Sequence, residues 1–262
     1  MVMRPGSGLP TDHAGPRTPV AHSAADVERL AAGAANLAQL DGRSSVCRAC
    51  PRLVTWREDV AEVKRASYAG EQYWGRPVTG FGPARPRIVV MGLAPAAHGG
   101  NRTGRIFTGD RSGDWLYAAL YRAGLARQPT STTAYDGQEL LHTRLTLPVR
   151  CAPPGNRPTP SERDTCGPWL AHELRFLLPT TRAVVVLGGF GWAAAFPALR
   201  AAGVAVPPRL PAFGHGVEVP LDGGPTVLAC YHVSQQNTFT GRLTEVMLDA
   251  VFARAKRLAG LD

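Results

Sequence analysis

The sequence predicts an α/β fold, a three-layer α/β/α sandwich around a central, mainly parallel four-stranded sheet. Four short apolar runs rich in β-branched residues are the first observation: "RIVVMGL" (87–93), "LTLPVRC" (145–151), "RAVVVLGG" (182–189) and "PTVLACYHV" (225–233). Continuous apolar runs of this length read as strands buried on both faces. Helical patterns then alternate with these runs, which implies parallel strands joined by right-handed crossovers. Finally, no stretch of eighteen apolar residues occurs, so the apolar content serves a core and not a bilayer.

Residues 1–24, rich in Pro, Gly and polar side chains, are expected to form a disordered arm, and residues 25–262 a single domain. The arm lacks the apolar centre of a signal peptide, which implies a cytoplasmic protein with no membrane partner. Val27, Leu30, Leu37 and Leu40 predict a helix over 25–40. "SGDWLYAALYRAGLA" (112–126) predicts a helix capped by Ser112, and "SERDTCGPWLAHELRFLL" (161–178) one capped by Ser161 with Asp164 three residues on. "GWAAAFPALRAAG" (191–203) and "LTEVMLDAVFARAKRLAGL" (243–261) supply two more.

The net charge is +9, and the basic residues are Arg except for Lys64 and Lys256. Guanidinium forks suit phosphate, so a polyanionic partner follows from the charge, although biased genomic composition also favours Arg over Lys. Cysteines stand at 47, 50, 151, 166 and 230. Without an export signal, this odd and uneven set argues for ligation over a disulfide framework. Cys47, Cys50, Cys151 and Cys166 form two pairs whose thiolates suit a zinc ion or a cubane iron-sulfur cluster, and spacing does not choose between them. Cys230 lies mid-strand and reads as a small core hydrophobe.

In a sheet of this kind ligands bind beyond the strand C-terminal ends. The first strand opens there into "MGLAPAAHGGNRTGRIFTGDRSG" (91–113), a glycine-rich loop whose backbone can approach a ligand. Phe107 within it suits a stacking platform. Asp110 is either a turn residue or a functional carboxylate. His232 ends the fourth strand at the same sheet edge, ahead of Gln235, Gln236 and Asn237, and draws attention for that placement; His98 has less positional support.

Jointly, Gly92-Leu93-Ala94-Pro95-Ala96 running into "HGGNRTGRIFTGD", the segment "VRCAPPGNRPTP" (149–160), the four cysteines and "YHVSQQNTFTGRLT" resemble the uracil-DNA glycosylase superfamily, in its iron-sulfur family 5, or type B. The resemblance covers roughly 45–260. It implies a structural 4Fe-4S cluster on Cys47, Cys50, Cys151 and Cys166. It implies a base site formed by Gly92, Ala94 and Phe107, with Asn156 standing in for an amide that relatives carry where this chain has Pro148. His232 would face the pyrimidine O2 and Asp110 would place water, since Ala94-Pro95-Ala96 are apolar where sister families carry Asp, Asn or Glu. Gln235, Gln236, Asn237 and Arg242 would contact DNA. The second motif departs from His-Pro-Ser-Pro, reading His232-Val233-Ser234-Gln235. The implied protein is a monomeric, nucleoid-associated repair enzyme that excises uracil, and other deaminated or etheno bases such as hypoxanthine, from double-stranded DNA. The alternative is a non-catalytic or very slow damaged-DNA binder of the same fold.

Overall fold

The computed structural model describes residues 2–262. Helices α1 (Ala24–Ala32), α2 (Leu37–Ser44) and α3 (Pro51–Val63) precede β1 (Ile88–Met91), and α4 (Gly100–Thr103) and α5 (Arg111–Arg122) lead to β2 (Thr143–Thr146). Then follow α6 (Pro160–Leu177), β3 (Ala183–Leu187), α7 (Gly189–Ala201), β4 (Glu218–Pro220), β5 (Thr226–Cys230), α8 (Gln235–Phe239) and α9 (Glu245–Ala259).

The sheet order is β2-β1-β3-β5-β4. β1 pairs in parallel with β2 and β3, with Val90 opposite Leu145 and Val185, and β3 pairs in parallel with β5. Alternate strand residues divide the core. Val90, Val185 and Leu228 pack with Leu116 and Leu120 of α5 and Phe252 of α9. Val89, Val184 and Val227 pack with Leu174 of α6 and Phe196 of α7 on the other face. With both faces covered, every strand residue of β1, β2 and β3 is buried.

The sheet has five strands, not four. β4 was not legible because only Val219 is apolar in it, and it joins antiparallel at the edge, on β5. The strand expected over 145–151 instead spans Thr143–Thr146, because Pro148 has no amide proton to continue a ladder. The helix expected over 25–40 is two: Gly33 ends α1, and the Asn36 side chain caps α2. Capping differs at two other places. Asp110, not Ser112, accepts from Gly113 N at the start of α5, and a Thr159/Glu162 capping box, not Ser161 with Asp164, starts α6.

The described part of the expected disordered arm, residues 2–23, is laid against the domain; residue 1 lies outside the described residues. Leu9, Ala14 and Ala21 are buried, and Asp12 pairs with Arg76 at 2.6 Å. These scattered contacts offset the segment's polar composition, which gave no periodic signal of them.

Beneath the sheet edge lies a buried charge network. Glu173 of α6 accepts from Arg144 Nε at 2.8 Å, Arg150 Nη2 at 2.7 Å and the Thr146 hydroxyl at 2.6 Å. Both arginines also reach Asp41 of α2, at 2.8 and 3.3 Å. Burial alone would raise the Glu173 carboxyl, but Arg150 and Arg144 hold it below its ordinary range. Removing one partner of such a network strands the others' charge, so Glu173→Ala is expected to lower stability by about 3–5 kcal/mol. A urea-unfolding midpoint, read at unchanged slope, checks this; a loss below about 1 kcal/mol would contradict it.

Candidate active site

A cleft of 110 Å³ opens beyond the C-terminal ends of the strands, where Ala94, Phe107, Asp110, Leu147, Asn156 and His232 meet. Each follows from topology: Ala94 lies just after β1, Leu147 directly after β2, and His232 just after β5. Gly92, expected to touch a ligand, lies beneath the cleft. Its amide donates to Thr146 O at 3.0 Å, and a Cβ there would stand 2.7 Å from Phe107 Cζ and 2.9 Å from Leu147 Cδ2. Gly92 therefore makes room for the ring.

Phe107 takes a left-handed backbone conformation, φ +52°, costly for a residue with a bulky side chain. Its carbonyl lies so close to Gly113 that a Cβ there would stand 2.0 Å from the oxygen. Two buried arginines hold the turn from behind. Arg105 donates to Thr108 Oγ1 at 3.0 Å and to Ser131 and Asp136 at 2.7 Å, and Arg102 donates to His98 O at 2.7 Å and Gly109 O at 3.0 Å. These loop arginines point inward as struts, so charge alone misled about their task. His98 supports the same loop through Tyr73 Oη at 3.0 Å.

Asp110 caps α5 and also lines the cleft. Oδ1 accepts from Gly113 N at 2.9 Å, and Oδ2 is tucked where a Gly99 Cβ would come within 1.9 Å. Burial raises the carboxyl above its ordinary range, against the backbone amides of Gly113 and Ser112 that lower it. His232 sits 6.4 Å from Phe107, ring to ring, tilted 37°. Burial pushes its imidazole down to about 4, so at neutral pH it is an uncharged ring offering one N–H. Asn156 stands exposed at the rim in a left-handed conformation, φ +57°.

Beyond His232, Gln235 and Gln236 are exposed on α8, and the Arg242 guanidinium lies 4.7 Å over the Tyr231 ring. Asn237 turns inward and donates to His232 O at 2.8 Å, a brace for the histidine and not an outward contact. Sequence reading missed Phe239, 67% exposed at the end of α8 with Arg111 5.6 Å over its ring.

Cys47, Cys50, Cys151 and Cys166 line one small cavity of about 20 Å³, walled by Leu53 and Trp169. Among the described residues no three Cys, His, Asp or Glu side chains converge closely enough to hold a single ion. Burial and the neighbouring Cys151 sulfur push the Cys50 thiol up to about 12, and the same causes raise Cys47 and Cys166. These three thiols thus resist ionisation, while the wall offers proton donors: Arg57 Nη1 reaches Cys151 Sγ at 2.8 Å, and the buried Trp169 Nε1 has no acceptor other than the Cys47 sulfur. Four soft sulfurs, an apolar wall and unsatisfied donors fit an anionic thiolate-ligated group. Cys230 is buried at the C-terminal end of β5, not mid-strand, and apart from this cage, packed as a core residue.

The Phe107 turn gives a direct check of the packing. Gly113→Ala is expected to destabilise by about 1–3 kcal/mol, because backbone must shift, whereas Gly167→Ala, whose Cβ meets nothing within 4 Å, should be neutral or stabilising. Thermal melts of the two variants decide it, and equal melting temperatures would contradict the close approach.

The Uracil DNA glycosylase superfamily model matches residues 79–256. A type-5 uracil-DNA glycosylase of Mycobacterium tuberculosis is 59% identical over 260 residues, 99% of this chain and 96% of that protein. Type-5 uracil-DNA glycosylases of Thermus thermophilus (51% identical, 83% of this chain, 95% of that protein) and Pyrobaculum aerophilum (46%, 82% and 89%) are also similar. The family match spans the β1 loop, the strand-end histidine and three of the five cysteines (Cys151, Cys166 and Cys230), and the Mycobacterium tuberculosis relative aligns with 99% of the chain: the chain belongs to the uracil-DNA glycosylase superfamily, in its type-5 class.

Proposed function

We propose that this chain is a monofunctional DNA glycosylase that extrudes uracil from double-stranded DNA and hydrolyses its N-glycosidic bond. The observation that carries the reading is the single cleft in which a neutral, half-buried His232 and the capping carboxylate of Asp110 share walls with Phe107. A base inside a stacked duplex is out of reach, so the nucleotide must be flipped. Unstacking costs a few kcal/mol, and a base stacked on Phe107 returns about 1–3 kcal/mol.

As the bond at C1′ lengthens, positive charge builds on the sugar and negative charge on the departing base. The neutral His232 N–H donates to the base O2 as that charge develops, and the Leu93 and Ala94 amides complete the anion site, since the Gly92 amide is committed to Thr146. Asp110, held by Gly113 and Ser112, orients water and supports the cationic sugar. Ala94-Pro95-Ala96 provide no second carboxylate, and DNA phosphates offset part of the sugar's charge. With the Asn156 amide only at the rim, the pocket enforces the uracil edge loosely, so hypoxanthine and etheno bases are accepted too. One methyl supplies only about 1–3 kcal/mol of discrimination, so normal pairs are protected by their reluctance to flip.

The cysteine cage holds a 4Fe-4S cluster through Cys47, Cys50, Cys151 and Cys166, which supplies structural bracing and no chemistry at the cleft. The protein acts as a monomer in the cytoplasm, on nucleoid DNA, with Gln235, Gln236 and Arg242 on the DNA side. No helix among the described residues is long and apolar enough to cross a membrane. The apolar Ala94-Pro95-Ala96 segment favours one other reading, a binder that keeps the pocket and turns over poorly; release of free uracil from a uracil-containing duplex in a single-turnover assay separates the two.

In that assay His232→Ala is expected to lower the rate about 100-fold with DNA affinity near wild type, and Asp110→Asn to lower it less. A wild-type rate for Asp110→Asn at unchanged stability would remove the carboxylate from the mechanism. Because His232 is neutral down to about pH 4, the wild-type rate should show no break near pH 6.5. The same depressed value means that the unfolded chain binds a proton first, so stability from the neutral ring is present above about pH 6.5 and lost as pH falls towards 4. Purified protein should be brown, and Cys47→Ala or Cys166→Ala colourless and unstable; stoichiometric zinc without iron after anaerobic purification would overturn the cluster.

A further inference from the structure

Arg57 carries a poorly compensated buried charge. It is 1% exposed, yet Nε has no acceptor. Nη1 donates to Cys151 Sγ at 2.8 Å, and Nη2 donates to the carbonyl of Cys47 at 3.1 Å. The nearest carboxylate is Glu58, 3.7 Å from Nη2, and both its oxygens are taken by Arg48. A guanidinium stays protonated, and burying it without a counter-anion costs several kcal/mol. Arg144 and Arg150, buried close by, each face two carboxylates. Arg57 faces sulfur instead. Trp169 repeats the pattern: its buried indole N–H finds no acceptor other than the Cys47 sulfur.

We infer that Arg57 is a built-in counter-cation of the cysteine cage, which donates to the ligand sulfur of Cys151, slows loss of the cluster and eases its reduction, with Trp169 as a second donor at Cys47. This rests on the cluster reading above. The physical reason is charge. A hydrogen bond and a cation at a ligand sulfur draw electron density from the metal side, and they stabilise the reduced state, which carries one more negative charge, more than the oxidised state. Without them, the cage repels an incoming electron more strongly and its thiolates are more exposed to competing protons.

The test uses the full chain, purified anaerobically as wild type, Arg57→Met, Arg57→Lys and Trp169→Phe. Iron per chain, the rate at which visible absorbance bleaches in air with a chelator, and the reduction potential are measured. Arg57→Met should bleach on the order of tenfold faster than wild type and have a more negative potential. Arg57→Lys, which keeps the charge but not the fork, should fall between them, and Trp169→Phe should shift both readings less in the same direction. If Arg57→Met fails to fold, the other two variants decide. Iron-bearing variants that match wild type in bleaching rate and potential overturn this inference alone, whereas wild-type protein without iron overturns the cluster reading and the inference together.

Discussion

Glu173 is fully buried, and the structure around it is arranged to make that tolerable. Its two oxygens receive two guanidinium groups and a hydroxyl, and the same arginines reach Asp41. Buried ion pairs add little net stability, but once formed they allow few alternatives, since any displaced member is left charged in an apolar setting. Here the constraint gathers three distant segments. Asp41 lies on α2, whose end leads to Cys47; Arg150 precedes Cys151; and Glu173 stands two helical turns beyond Cys166 on α6. The cage is assembled where the charges lock. Gly80 shares in this, because a Cβ there would stand 2.2 Å from Glu173 Oε1.

The cleft depends on a second close fit, just beyond the C-terminal end of β2. Phe107 is held in its left-handed turn by glycines that yield space and by Arg102 and Arg105 behind it. The two centres are also joined directly: the Asn101 side chain, beside the Phe107 turn, donates to the carbonyl of Arg57 at 3.1 Å. The polar loop that follows β1 is thus rigid because its polarity is turned inward, and its glycines mark close approaches more than mobility.

What the sequence made legible was whatever repeats or clusters. β1, β3 and β5 announce themselves by continuous apolar runs rich in Val, whereas β2, Thr143-Arg144-Leu145-Thr146, overlaps its expected run only at Leu145 and Thr146; the site is announced by its position after the strands, since topology sends every βα loop to one edge. The paired cysteines and the strand-end His232 were legible for the same reason. What stayed hidden depended on partners far along the chain. β4 has one apolar residue and exists because β5 offers an edge. Arg57 and Arg105 look like any surface arginine until Cys151 and Asp136 are placed opposite them. Asp110 was ambiguous because a helix cap and a cleft wall can ask for the same side chain, and here Asp110 both caps α5 and lines the cleft.

The passage from cleft to cage is very short. Leu147 lines one and Cys151 the other, with Pro148, Val149 and Arg150 between them. None of the three is slack: Pro148 ends the strand, Val149 N donates to Leu93 O at 3.3 Å, and Arg150 is clamped by Glu173. Length at this point is therefore a property of both centres, and a single inserted or deleted codon would misplace one of them whichever way the chain relaxed.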